Sequence, residues 1–162
     1  MTAEPGRRTP CGRRALNAGE TPVADLAPDA FEQTMLAMMR HVFGSFAHPP
    51  GHGWLRAAAL AEQRFADRQP GALFLGAVRV VQGIRCARRS PLVFSNPDCD
   101  CCAAILTEPE RHLMQALMAV RRARPGVART HAMLLCEGGD IEPLIRALGA
   151  LPTVRRLSPA VG

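Results

Sequence analysis

The sequence predicts an all-α domain, a single compact bundle of five or six short to medium helices with mobile termini. Three observations carry that prediction. Hydrophobic residues make up 48% of the chain but aromatics only 4%, with no Tyr and one Trp. The core must therefore be built from Leu, Ala, Val and Met, which suits packed helices better than a β-sandwich. Apolar residues recur at helical spacing in successive segments, and short Pro/Gly breaks separate those segments, so neighbours should pack antiparallel. A chain of 162 residues is the size of one domain and can bury a real core without disulfides.

Residues 1–23 are rich in Gly, Pro, Thr and Arg without apolar periodicity and read as a mobile tail. The helical domain spans 24–152, and 153–162 read as a second tail. The first helix carries Phe31, Met35, Met38, Val42 and Phe46 on one stripe, with Asp29 or Asp25 as its cap and Pro49-Pro50-Gly51 as its stop. Its methionines are expected to fill the core. A second helix covers 54–68 and ends at Gln69-Pro70-Gly71. A third, 72–89, shows an apolar face of Phe74, Val78, Val81 and Ile84 and a polar face that includes Cys86.

Asn96-Pro97 reads as an N-cap followed by Pro at the first helical position, opening a short helix to about Leu106. Thr107 and Glu110 stand at capping-box spacing before a helix over 108–123. Helices over 127–137, closed by Gly138-Gly139, and from Asp140 to Pro152 complete the set.

Formal net charge is +6, and every basic residue is Arg. A basic surface is compatible with an acidic protein partner or nucleic acid, but no basic stripe interleaves with aromatics, so a single-strand stacking platform is not expected. "RRAR" at 121–124 reads as a solvated helix C-terminus. No apolar run has the length of a membrane span. Neither N-terminal Arg pair is followed by an apolar stretch, so no export signal is indicated and the cytoplasm is the expected compartment.

The six cysteines then read as reduced, metal-bound or redox-active rather than as a disulfide framework. Cys99, Cys101 and Cys102 fall within four positions, in "NPDCDCC". On a helix, Cys99 and Cys102 would share a face, whereas Cys101 would point elsewhere and pack. A soft metal site wants about four ligands, and Cys86 and Cys136, both near helix ends, are the candidates to complete it, with His112 and His131 in reserve. The expected metal ligands are thus Cys86, Cys99, Cys102 and Cys136. Zinc and an iron–sulfur cluster both accept such a set, and the alternative is no cofactor at all. Asp98 and Asp100 disfavour a thiolate by like-charge repulsion, which a bound cation would relieve; Arg85, Arg88 and Arg89 could offset it if they fold close.

No nucleophile–base–orienting group can be assembled, and no phosphate-binding loop, zincin or nucleophile-elbow motif occurs. His41, His48 and His52 read as structural or surface residues. The leading expectation is a non-enzymatic helical protein that binds zinc or an iron–sulfur cluster through its cysteine corner, in regulation, assembly or delivery. The first alternative is a thiol redox sensor or oxidoreductase using Cys99 and Cys102. The second is a helical interaction module whose basic surface binds an acidic partner or nucleic acid.

Overall fold

In the computed structural model the described residues are 15–152; the expected C-terminal tail and residues 1–14 of the N-terminal one lie outside them. The protein is all-α. Among the described residues seven α-helices carry the fold: α1 Ala30–Ala47, α2 Gly53–Phe65, α3 Pro70–Ala87, α4 Asp100–Ala103, α5 Glu108–Arg121, α6 Pro125–Leu135 and α7 Glu142–Gly149. α1 packs on α2 and α3, α5 pairs with α6 as a helical hairpin, and α7 closes over α3 while touching α5 and α6. No helix among the described residues is long and apolar enough to cross a membrane.

The starts and stops follow local chemistry. Asp29 caps α1 in a reciprocal box with Glu32, and Thr107 does the same for α5 with Glu110, each pair satisfying two backbone N–H groups that the first turn leaves unbonded. Pro70 and Pro125 open α3 and α6 at positions whose N–H needs no partner. Met35, Met38, Met39, Leu73, Ile84, Leu113, Met114, Leu117, Leu135 and Leu144 are sealed inside. The methionines expected in the core are there.

α1 and α5 run antiparallel, and their register is pinned by charge at both ends. At one end Arg121 of α5 donates to Asp29 at 2.8 Å and to Glu32 at 2.5 Å, while its guanidinium lies over the Phe31 ring. Arg122 reaches Glu32 from the same side. Part of the "RRAR" run is thus an interhelical clamp rather than a solvated terminus. At the other end Arg40 meets Glu110.

The segment between α3 and α5 departs from the expected helix over 97–106. Asn96 Oδ1 accepts the N–H of Asp98 at 2.9 Å, forming a side-chain turn that competes with helix initiation. The helix therefore starts only at Asp100 and lasts one turn. Ile105–Leu106 then forms β2, antiparallel to β1, Thr21–Pro22, with Thr21 opposite Leu106. Val23 adds an N–H bond to the Ala104 carbonyl at 2.9 Å. The last part of the segment read as a tail is thus laid along the cysteine turn.

Candidate functional site

The cysteine turn is held on a buried polar knot. Arg40 sits on α1 between Leu36 and Phe43, facing inward, and is 3% exposed; Glu110 is 1% exposed. Arg40 Nε donates to Glu110 Oε1 at 2.6 Å and Nη2 to Oε2 at 3.1 Å, a bidentate pair. The rest of the guanidinium reaches the turn itself: Nη1 donates to the Ala103 carbonyl at 2.7 Å and Nη2 to that of Ile105 at 2.8 Å. Glu110 also accepts the backbone N–H of Ser95 at 3.1 Å and of Thr107 at 2.9 Å. Ser95 and Thr107 hydroxyls donate to the carbonyls of Ile105 and Val93. Charges taken from water this completely survive only when nearly every donor and acceptor is matched, and these are. The result is a rigid frame for residues 93–107.

Within that frame Cys99 is the residue before α4, in extended conformation (φ −121°, ψ 111°). It does not share the helix geometry of the residues that follow, so the same-face rule for positions three apart does not apply to it. The Cys99 sulfur lies 3.8 Å from that of Cys101. That contact joins Cys99 to Cys101, the residue expected only to pack. All three cysteines of the turn are partly buried. Cys101 and Asp100 form part of the wall of a cleft of about 940 Å³ that Leu16, Val23 and Ala24 also line.

The expected four-cysteine set does not converge. Among the described residues no group of three or more His, Cys, Asp or Glu side chains is placed to hold a metal ion. Cys86 is exposed on α3, along a groove shared with Pro143 and Arg146, and its sulfur accepts from Gln82 Nε2 at 3.3 Å. Cys136 is fully buried beneath the end of α6, and burial pushes its thiol pKa up, against a smaller lowering by Arg88. One residue faces outward from its helix and the other inward, so lying near helix ends does not bring them to Cys99 and Cys102.

The charges around the turn are arranged differently from expectation. Asp98 is ion-paired with Arg56 of α2. Arg88 instead binds Glu137, and Arg85 lies over the Phe46 ring and donates to Gln82. Asp98 and Arg56 border a cavity of about 360 Å³ with His41, His48 and Asn96. Burial lowers the pKa of His41; Asp98 acts in the opposite direction and Arg56 adds to the lowering.

The two reserve ligands do meet, but at a separate place. His112 of α5 and His131 of α6 face each other with Nδ1 atoms 2.9 Å apart.

Sequence reasoning missed the roles of Arg40, Arg56 and Cys101. Arg40 carried a readable signal: it occupies an apolar position four residues after Leu36 and three before Phe43. Compared with known proteins, the chain matches no family model, no curated protein and no solved structure at a significant level.

Proposed function

We propose that this chain is a thiol redox protein, a sensor whose working pair is Cys99 and Cys101. The observation that carries the reading is the 3.8 Å contact between their sulfurs in a turn held by the Arg40–Glu110 knot. The cleft beside Cys101 offers a small hydroperoxide a path to that sulfur. The Cys101 thiolate attacks one peroxide oxygen, the O–O bond breaks, and the leaving alkoxide takes a proton and departs as an alcohol. Cys101 is left as a sulfenic acid. The Cys99 sulfur then displaces its hydroxyl, a disulfide forms, and water leaves. Two thiols have lost two electrons and two protons, and the peroxide has gained them.

Disulfide closure brings the sulfurs to about 2.0 Å, so the turn has to deform. Ala103 and Ala104 carry that deformation outward: the Ala103 carbonyl is bound by Arg40 and the Ala104 carbonyl by Val23. The oxidation state would thus be read out at the β1 segment. A disulfide across one intervening residue closes a small ring, and strained disulfides are the readily reduced, regulatory kind.

A soft-metal site is the second reading, and one number favours it. A tetrahedral zinc thiolate with bonds of ~2.3 Å has S···S edges of roughly 3.8 Å, which matches the observed pair. One experiment separates the two. Full-length protein purified without oxygen is assayed for zinc and iron, treated with one equivalent of hydroperoxide, and mapped by mass spectrometry. The redox reading expects a Cys99–Cys101 peptide lighter by two hydrogens and restored by a thiol reductant. Unreacted Cys99 and Cys101 would overturn it, and stoichiometric metal lost on Cys99→Ser would establish the metal reading instead.

A further inference from the structure

The geometry points to a second, independent site: a divalent transition-metal ion bound between α5 and α6 by His112 and His131, with the Glu108 carboxylate close to the first of them. The imidazoles come from two helices that the tight turn at 122–124 locks into a hairpin. Arg124 N–H bonds back to the Ala119 carbonyl at 2.9 Å, and Ala123 takes the left-handed conformation at φ 53°. The ring centroids lie 5.2 Å apart, and the two Nδ1 atoms meet at 2.9 Å. That separation is roughly the one between cis ligands on an ion with metal–nitrogen bonds of 2.0–2.1 Å, and imidazole suits zinc, nickel and copper alike.

The tautomers follow from the neighbours. Glu108, one turn before His112, places a carboxylate oxygen 4.0 Å from His112 Nε2. At that distance it acts as a nearby negative charge and not as a hydrogen-bond partner; it favours a proton on that nitrogen and so leaves the Nδ1 lone pair for a ligand. In the metal-free pair His131 Nδ1–H donates to that lone pair. An ion bound by both nitrogens sits to one side of the line between them, so the shared proton leaves and both Nδ1 lone pairs turn toward the ion. His131 then carries its proton on Nε2, exchanged through solvent, and no net proton is lost.

The positive charge of Arg111 opposes a dication, which the Glu108 carboxylate offsets. No third side-chain ligand of the described residues joins the pair, so the remaining coordination positions are open to water or to an outside donor. A metal held this way exchanges ligands, as a delivery or sensing site does and a closed structural site does not.

The test is a titration of the full chain with nickel chloride, followed by calorimetry and by the histidine ring resonances in NMR. One nickel ion per chain is expected, with selective broadening of two histidines. Binding is expected to vanish in His112→Asn and in His131→Asn, to weaken in Glu108→Gln as a nearby negative charge is lost, and to persist in a Cys99→Ser, Cys101→Ser variant. If either His variant fails to fold, the wild-type broadening pattern and Glu108→Gln still decide. Nickel uptake unchanged by the histidine substitutions would overturn the site. So would an absence of uptake with only a lowered melting temperature in the variants, which would leave an interhelical hydrogen bond and nothing more.

Discussion

Arg40 and Glu110, 70 positions apart in sequence, form a buried bidentate ion pair whose unused donors and acceptors are spent on the backbone of the cysteine turn. The pair joins the middle of α1 to the first turn of α5, and the turn hangs on both. Removing one partner leaves the other charge buried and unpaired, at a cost of about 3–5 kcal/mol. Arg40→Met and Glu110→Leu are each expected to lose that much in urea unfolding. The double variant should recover little, because the Ala103 carbonyl and the Ser95 and Thr107 N–H groups lose their partners from the pair. Full recovery in the double variant would mean that the charges bind only each other.

The cysteines should separate by reaction rate. Cys86 is exposed and Cys136 fully buried, and burial also pushes the Cys136 thiol pKa up. Thiolate is the reactive form. Under a maleimide or iodoacetamide pulse at neutral pH, Cys86 should label within the pulse, while Cys136 should label only at the rate at which the core opens. Peptide mapping across a time course checks this. Early labelling at Cys136 would place it outside the core.

The helices were legible because each rests on local signals, a cap, a proline or a stripe, that act within a few residues of chain. Asp29 and Thr107 cap their helices as their positions suggest, whereas Pro70 and Pro125, read as breaks, open the helices that follow them. The site was only partly legible. Cys99 stood out, but its contact with Cys101 depends on the Asn96 side-chain turn, which delays α4 by three residues. The choice between helix start and turn is a near balance of single hydrogen bonds, and sequence alone does not weigh it. The convergence of Cys86 and Cys136 was an argument from helix ends, and facing, which decides it, depends on tertiary packing. Arg40 needed only its place on the Leu36–Phe43 stripe to be suspected; its partner, 70 residues on, did not follow from that.

Glu137 predicts a pH dependence with a definite sign. Its carboxylate accepts the hydroxyl of Ser90, the backbone N–H groups of Arg89 and Ser90 and the Arg88 guanidinium, tying the end of α3 to the end of α6. The Ser90 side-chain bond, followed by the backbone bond, lowers its pKa from the ordinary 4.5 to about 2. A folded-state pKa below the unfolded value means that the stabilisation is present above about pH 4.5 and is lost as pH falls through about 2. Glu137→Gln should therefore melt below wild type at pH 6, and the gap should close as pH approaches 2. A gap independent of pH would show that the charge is not what these bonds use.

Two glycines on α6 and its exit should respond in opposite directions. A methyl group at Gly139 would overlap the Ala87 carbonyl oxygen and come to 3.1 Å from that of Cys136. Both obstacles are backbone, so no rotamer change relieves them, and α3 must move away from the α6–α7 turn. Overpacking of this kind costs ~1–3 kcal/mol. At Gly126, in the first turn of α6, a methyl meets nothing within 4 Å. Alanine there reduces the freedom of the unfolded chain and suits a helix better, a gain of ~0.4–1 kcal/mol. Urea midpoints are expected to fall for Gly139→Ala and rise for Gly126→Ala with unchanged slopes. Because Gly139 lies against the backbone of Cys136, the destabilised variant should also label Cys136 faster, whereas Gly126→Ala should slow it. Equal midpoints in the two variants would mean that the α3–α6 contact yields without cost, and would remove the rigid packing on which the burial of Cys136 depends.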